Sequence, residues 1–391
     1  MSEEPDAPRN DAAETDAPPA EAAIEVPSAP GPEAAVEAPS APTAESPLAA
    51  PAAPRPRVPS RVEIVERAVV TFFGAPSTGE SAALFRIAFG LLALWTSIGV
   101  WLNLERYYGP DGLVPWDMVK GDPYVEKISL FALAPDSQAM LAGHAVAFTL
   151  ASVLFTVGLF PRVSAIVISY VNVSLQYRNP FILNSGDRLF QIVAAVAAFM
   201  PLARRWSVTS YVRRLRGKGD GPLGTDFGAR LIQLEIAYVY LSSFIAKISN
   251  TRWRTGIALR DVLSSPVFAE WPAYLSTFPI VGFLTYMTLV FELGFPLLIW
   301  FKKPRPWLIL WGIAFHAGID ALMIIPMFSM VMIVCYLPYL TDGEALFTVR
   351  AIRSPRQAVR AWLRDRAATK AGRSAPSPTD APTPQSRSPN V

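Results

Sequence analysis

Residues 230–249 read RLIQLEIAYVYLSSFIAKIS, a run of twenty broken by only three charged side chains, Arg230, Glu235 and Lys247. A helix needs about 20 predominantly apolar residues to cross the hydrocarbon of a bilayer. A spanning segment must also be helical, because lipid offers the backbone no hydrogen-bond partner. The stretch therefore reads as a transmembrane helix. Comparable runs lie near 81–103, 138–160, 163–178, 187–203, 280–301, 307–325 and 327–341. The third span in chain order and the last are short, and the last two are parted only by a turn at Pro326. The expected fold is all-α: a polytopic transmembrane helical bundle of about eight spans.

Composition agrees with a membrane protein. Charged residues make up 17% of the 391 and hydrophobic residues 51%, with 10 Trp and 22 Phe. These averages conceal a partition. Residues 1–60 are rich in Ala, Pro and Glu, as in SAPGPEAAVEAPSAP at 28–42. They lack the aromatic and branched side chains that offset ordering entropy, so a disordered tail is expected. Residues 61–77 read as a short pre-membrane segment, 78–342 as the membrane domain, 343–370 as a basic segment, and 371–391 as a second disordered tail. No basic start with an early apolar run marks a signal peptide. The single cysteine, Cys335, excludes an intrachain disulfide and a thiolate-rich metal site. No metal and no nucleic-acid partner is expected.

Orientation follows from lysine and arginine, which favour the cytoplasmic side. They gather at Arg55, Arg57, Arg61 and Arg67, at Arg162, in the loop ARRWSVTSYVRRLRGKGD at 203–220, in the turn KKPRP at 302–306, and from Arg350 onward. Eight crossings place all five regions on one side, with both termini in the cytoplasm. Loops 104–137, 179–186 and 250–279 then face outward. They carry Tyr107, Tyr108, Trp116, Trp253 and Trp271, aromatics suited to an interface. The first of these loops is long enough to cap a cavity.

Ionisable residues inside hydrocarbon are costly and mark sites by default. Arg86 and Glu235 each lie about five residues inside spans that start from the cytoplasm, so they sit at equal depth and suggest a structural ion pair. On the fifth span Tyr240, Ser243 and Lys247 recur at i, i+3 and i+7 and share one face. Lys247 lies about 17 residues in, roughly 25 Å at 1.5 Å per residue. Two readings stand for it: a lysine that snorkels to the outer headgroups, or a partly desolvated amine able to act as a base. The sixth span aligns Thr285, Thr288 and Glu292. The seventh holds His316 and Asp320 at i and i+4. Glu292 and His316 are each about nine residues from the intervening turn and can meet across it, either as a packed His–carboxylate pair or in proton transfer or substrate binding within a shared cavity. His144 reads as interfacial. In RNPFILNSGDRL, 178–189, Asp187 reads as a helix cap beside Arg188, both at the depth of Lys247 and potential cavity-lining residues. The sequon Asn172-Val173-Ser174 lies inside a span and is a chance match. No phosphate-binding loop, dinucleotide fingerprint, HExxH or nucleophile elbow occurs.

Four stretches, taken in order, carry a likeness: ALFRIAFGLLAL at 83–94; RNPFILNSGDRLFQI at 178–192; LIQLEIAYVYLSSFIAKISNTRWRTGIAL at 231–259; and FELGFPLLIW at 291–300 followed by AFHAGIDALMIIPMFSMVMI at 314–333. The set resembles the HTTM family, the membrane domain related to vitamin K-dependent gamma-carboxylase, across about 78–342. Its shorter members include proteins similar to sporulation-delaying protein B. The resemblance implies that Lys247 matches the lysine regarded in the carboxylase as the base toward the vitamin K hydroquinone, on the extracytoplasmic side. It implies a quinone or hydroquinone as cofactor; His316, read from its spacing as a proton-transfer candidate, joins Lys247 as a candidate catalytic residue. The carboxylase carries a substantial extramembrane region after its helices. A short basic, Pro-rich segment follows here instead, which weighs against protein glutamate carboxylation. Three functions are open: a carboxylase-like enzyme using a membrane quinone; a non-enzymatic membrane protein for export, maturation of or immunity to a peptide; and a proton-coupled transporter. The expected partners are the lipid bilayer and a peptide or protein substrate. The expected location is the plasma membrane, as a multi-pass protein of a bacterial inner membrane.

Overall fold

A computed structural model describes residues 60–120, 129–269, 273–325, 327–356 and 360. Of the stretches expected to be disordered, 1–60 and 371–391, all but Ser60 lie outside these residues, as do Trp271 and Pro326. The architecture is a helical bundle. In chain order its principal helices are α1 (Arg61–Gly74), α2 (Glu80–Leu102), α3 (Gln138–Val157), α4 (Pro161–Arg178), α5 (Ser185–Ala197), α6 (Val208–Leu215), α7 (Phe227–Ile248), α8 (Pro279–Leu298), α9 (Arg305–Leu322), α10 (Phe328–Val334) and α11 (Asp342–Arg353). The all-α expectation needs one small amendment. Pro76–Ser77 pairs antiparallel with Gly224–Thr225, tying the segment before α2 to the loop before α7.

Four of these helices, α2, α3, α7 and α8, are long and apolar enough to cross a membrane. A fifth crossing arises if the bent pair formed by Phe328–Tyr339 and α11 counts as one broken span; the chain bends by 119° between its two halves. The other expected spans are helices of a different kind. Residues Asn172, Gln176 and Arg178 make α4 polar, and all three are buried. Gln176 donates to Asn172 Oδ1 at 2.7 Å and accepts from Gln191 of α5, so the polar groups satisfy one another inside the bundle. At 13 residues, α5 is about 20 Å long, less than the roughly 30 Å of hydrocarbon.

The bundle face of α2 explains why it sits where it does. Phe85 and Phe89 are fully buried, and Phe89 stacks on Phe190 of α5 at 4.8 Å between centroids and meets Phe155 of α3 edge-on at 6.0 Å. In lipid such packing, rather than water exclusion, holds helices together. Gly90 permits the close approach of α3: a Cβ there would fall 2.9 Å from the Thr156 Cα. The opposite face of α2 carries Leu91, Trp95, Ile98 and Leu102, all more than half exposed. Such a stripe at i, i+4, i+7 and i+11 is unfavourable in water and suited to acyl chains.

The basic regions gather at one end of the bundle. Arg204 donates to the Thr78 carbonyl at 3.0 Å and Thr209 to the Gly158 carbonyl at 2.7 Å. Arg86 is central to this end and corrects the expected pair with Glu235. The fully buried guanidinium donates to carbonyls of Thr156 at 3.3 Å, Arg205 at 3.1 Å, Trp206 at 2.6 Å and also Leu202. Carbonyl dipoles at the C-terminal end of α3 and in the turn after α5 therefore solvate the charge. Glu235, half-buried on α7, makes no ion pair among the described residues.

Candidate functional site

At the opposite end, α7, α8 and α9 converge around a cavity of about 200 Å³. Tyr240, Ser243 and Lys247 reach it from one face of α7, Glu292 from α8 and His316 from α9. The remaining wall is mostly apolar, with Leu259, Val262, Phe315, Ile319, Met323 and Phe328 among its members.

The polar groups form two linked sets. Lys247 Nζ lies 2.6 Å from Glu292 Oε1, and Ser243 Oγ donates to the same oxygen at 3.0 Å. Lys247 also donates to Ser243 Oγ. Its Nζ stands 5.1 Å from the Trp253 ring centroid. The Lys247 side chain is 22% exposed and that of Glu292 5%, so the pair is largely desolvated. In the second set, Tyr240 Oη lies 2.7 Å from His316 Nε2 and shares a hydrogen bond with Tyr336 Oη. Phe291 and Phe295 pack on the Tyr240 ring at 5.1 and 4.7 Å. Gly312 on α9 makes room for Tyr336, since an added Cβ would fall 2.6 Å from its Cζ.

Among the described residues two atoms of this cluster lack a partner: Glu292 Oε2 and His316 Nδ1 are buried without a hydrogen bond. Buried polar atoms are nearly always satisfied, so an orphaned pair in residues lining one cavity suits a ligand with hydrogen-bonding groups. Alone, the cavity is smaller than the roughly 300–1,000 Å³ of typical small-molecule sites. A second, apolar cavity of about 250 Å³ adjoins it, lined by Leu284, Met287, Trp311 and Gly318. Both cavities are lined by Leu259, Thr288, Phe315, Ile319 and Met323. Together they offer a polar head region and an apolar extension between α8 and α9.

The geometry redistributes the residues singled out in the sequence. His316 meets Tyr240 rather than Glu292, whose partner is Lys247. Asp320 is exposed and outside the cavity. The cap of α5 is Asn184, whose Oδ1 accepts from the Gly186 N–H at 2.7 Å; Asp187, expected as the cap, lies in the first turn and completes the capping box, its Oδ2 accepting from the Asn184 N–H at 3.0 Å. It lines a different cavity, of about 360 Å³, with Trp95, Tyr107, Tyr108 and Gln176. Arg188 is exposed over the Tyr177 ring at 5.8 Å. The loop after α2 belongs to that second region, where Arg178 donates to the Val114 and Gly109 carbonyls at 2.8 and 2.9 Å and anchors it. His144, read as interfacial, packs inside the bundle. It is buried, stacks on Phe131 at 4.2 Å, and bonds the Met140 carbonyl and Ser174 Oγ at 2.8 and 2.9 Å. Tyr336 escaped notice because the run before it carries no polar periodicity.

The basic end holds one further electrostatic feature. The carboxylate of Asp342, which opens α11, accepts from the Ser81 N–H at 2.9 Å, from the Thr78 N–H at 2.7 Å and hydroxyl at 2.9 Å, and from the Ser77 hydroxyl at 3.1 Å. Burial pushes its pKa up, but these donors outweigh burial and hold the carboxyl below its ordinary value. Nearby Asp226 is raised, by burial and by the charge of Asp342 against the opposing pull of Arg230.

Comparison with known proteins agrees with the helical architecture. A protein of Bacillus subtilis (strain 168), the uncharacterized YitO, is 25% identical over 240 residues, covering 58% of this chain and 75% of its own length. No solved structure matches the chain significantly. The HTTM domain matches residues 75–342, which contain every helix from α2 to α10 and all the residues of the Lys247 cavity. The chain is an integral membrane protein that belongs to the HTTM domain family.

Proposed function

We propose that the Lys247 cavity binds the ring of a lipid-soluble hydroquinone and that Lys247 acts as a base toward its hydroxyl. The observation that carries this reading is the 2.6 Å contact of Lys247 with Glu292 inside an otherwise apolar pocket. A desolvated pair of this kind gains much less from being ionic than a pair in water, because both charges lose hydration. Glu292 and Ser243 hold Nζ at the cavity wall, where as the free amine it presents a lone pair to a bound ring. A bound hydroquinone supplies an acidic ring hydroxyl. Lys247 takes the hydroxyl proton at Nζ, the electron pair stays on the ring oxygen, and the Glu292 carboxylate stabilises the ammonium so formed. Tyr240 and His316 orient the ring, and the adjoining apolar cavity receives its tail. The reaction class that follows is carboxylase-like activation of a membrane quinol.

On this reading the chain crosses the membrane eight times. The basic end lies in the cytoplasm with both termini, and the Lys247 cavity opens toward the extracytoplasmic side of a bacterial inner membrane. A peptide or protein is the substrate class that the carboxylase likeness suggests. Binding is tested with full-length protein in lipid nanodiscs, titrated anaerobically with a naphthohydroquinone. Saturable binding that is weakened at least tenfold by Lys247→Ala or Glu292→Gln supports the site. Binding that is absent in the wild type, or unchanged in both variants, contradicts it and favours the non-enzymatic peptide or transport roles.

A further inference from the structure

A separate cavity of about 510 Å³ lies at the basic end, beside the start of α4. Three arginines line it: Arg162 in the first turn of α4, Arg213 on α6, and Arg204 in the segment between α5 and α6. Arg204 is already engaged, with Nε on the Thr78 carbonyl at 3.0 Å and a terminal nitrogen on the Gly221 carbonyl at 2.8 Å. The other two are not. Among the described residues neither Arg162 nor Arg213 has an ion-pair partner, and Arg213 Nε is buried without an acceptor. The one carboxylate in the lining, Asp220, is taken by Arg205 at 2.6 Å. The cavity therefore carries uncompensated positive charge.

Its surroundings add two features. The 18-residue α4 begins at Pro161 without a side-chain cap, so the amides of Arg162 and Val163 lack intrahelical acceptors at the same place. Phe160, Val163 and Leu223 in the lining are all more than half exposed. From Val163 an exposed apolar stripe continues along α4 through Ile166 and Tyr170, at i, i+3 and i+7. A soluble anion has no use for that stripe, whereas an acyl chain has. Arginine forks and helix N-termini both bind phosphate, and basic pockets at the cytoplasmic surface of membrane proteins hold anionic headgroups.

We infer that this cavity is a binding site for the phosphate headgroup of an anionic phospholipid, with Arg162 and Arg213 on the phosphate and Phe160 and Val163 along an acyl chain. The test uses delipidated full-length protein in detergent and follows its thermal unfolding midpoint against added phosphatidylglycerol, phosphatidylcholine or inorganic phosphate. Phosphatidylglycerol is expected to raise the midpoint at concentrations where phosphatidylcholine does not. The double variant Arg162→Gln with Arg213→Gln should need at least tenfold more phosphatidylglycerol for the same rise. Arg162→Gln alone should show an intermediate loss, which serves if the double variant folds poorly. Arg214→Gln, exposed and off the cavity, should behave as wild type. Equal response to both lipids, or an unaltered response in the Arg162 and Arg213 variants, overturns the inference. A rise produced equally by inorganic phosphate overturns the lipid assignment. Loss of hydroquinone binding leaves this test unaffected.

Discussion

The carboxylate of Asp342 sits 2.9 Å from the amide nitrogen of Ser81, so the first span is capped by a residue 261 positions further along the chain. Capping is ordinarily local; here it joins the two ends of the membrane domain. Hydrogen bonds to a charged group contribute about 1.5–3 kcal/mol. Asp342→Ala should therefore lower the detergent unfolding midpoint clearly, while Glu344→Ala, which acts only within its own helix cap, should cost less. A thermal scan of both variants checks the order.

Asp342 also gives stability a pH dependence of fixed sign. Its folded pKa is depressed below the unfolded carboxylate value of about 3.9. The stabilisation is thus fully present above that value and is lost as pH falls through the lower folded one. Asp342→Asn should flatten the wild-type loss of stability below about pH 4 and lower stability at neutral pH.

The buried Arg86 provides a sharper contrast between sequence and structure. Equal depth on the first and fifth expected spans made Glu235 a natural partner, yet four carbonyls occupy the guanidinium. Arg86→Met leaves those acceptors unsatisfied, at about 1–3 kcal/mol each where burial persists, so a large drop in detergent stability is expected. Glu235→Leu should not relieve it. Rescue of Arg86→Met by Glu235→Leu in a double-mutant cycle would restore the ion-pair reading.

These contrasts show what was legible in the chain. Helical periodicity placed Tyr240, Ser243 and Lys247 on one face because 3.6 residues per turn is a local property. Antiparallel spans with a short turn brought Glu292 and His316 to similar depth, and both do line one cavity. Which polar atom meets which depends on rotation of each helix about its axis, and no local pattern encodes that. Asp320 illustrates the limit: four residues from His316, it still faces outward. Tyr336 was invisible because its role depends on Gly312 of another helix. The stretch Asn-Ser-Gly-Asp did announce a helix start, but the cap is Asn184 and Asp187 lies in the first turn, closing the capping box.

Gly312 offers a direct check on that last contact. Gly312→Val places new atoms on the Tyr336 ring. Overpacking of this kind commonly costs about 1–3 kcal/mol. Tyr336 should shift, Tyr240 should lose its hydroxyl partner, and hydroquinone affinity should fall more than stability does. Paired titration and unfolding measurements separate the two effects.

Topology has an independent test. Residues 120 and 215 lie in segments assigned to opposite sides of the membrane. Reporter fusions at those positions should give opposite signals; the same signal from both would reject the eight-span arrangement.

The most direct test concerns the proton on a hydroquinone bound beside Lys247. Deprotonation moves the ligand's absorption to longer wavelength, so an anaerobic difference spectrum of wild-type protein in nanodiscs should show the anion at neutral pH. Lys247→Arg keeps a cation and much of the side-chain bulk, but guanidinium remains protonated and cannot take the proton. The expected result is retained ligand binding with loss of the anion band. An undiminished anion band in Lys247→Arg would contradict the assignment of Lys247 as the base.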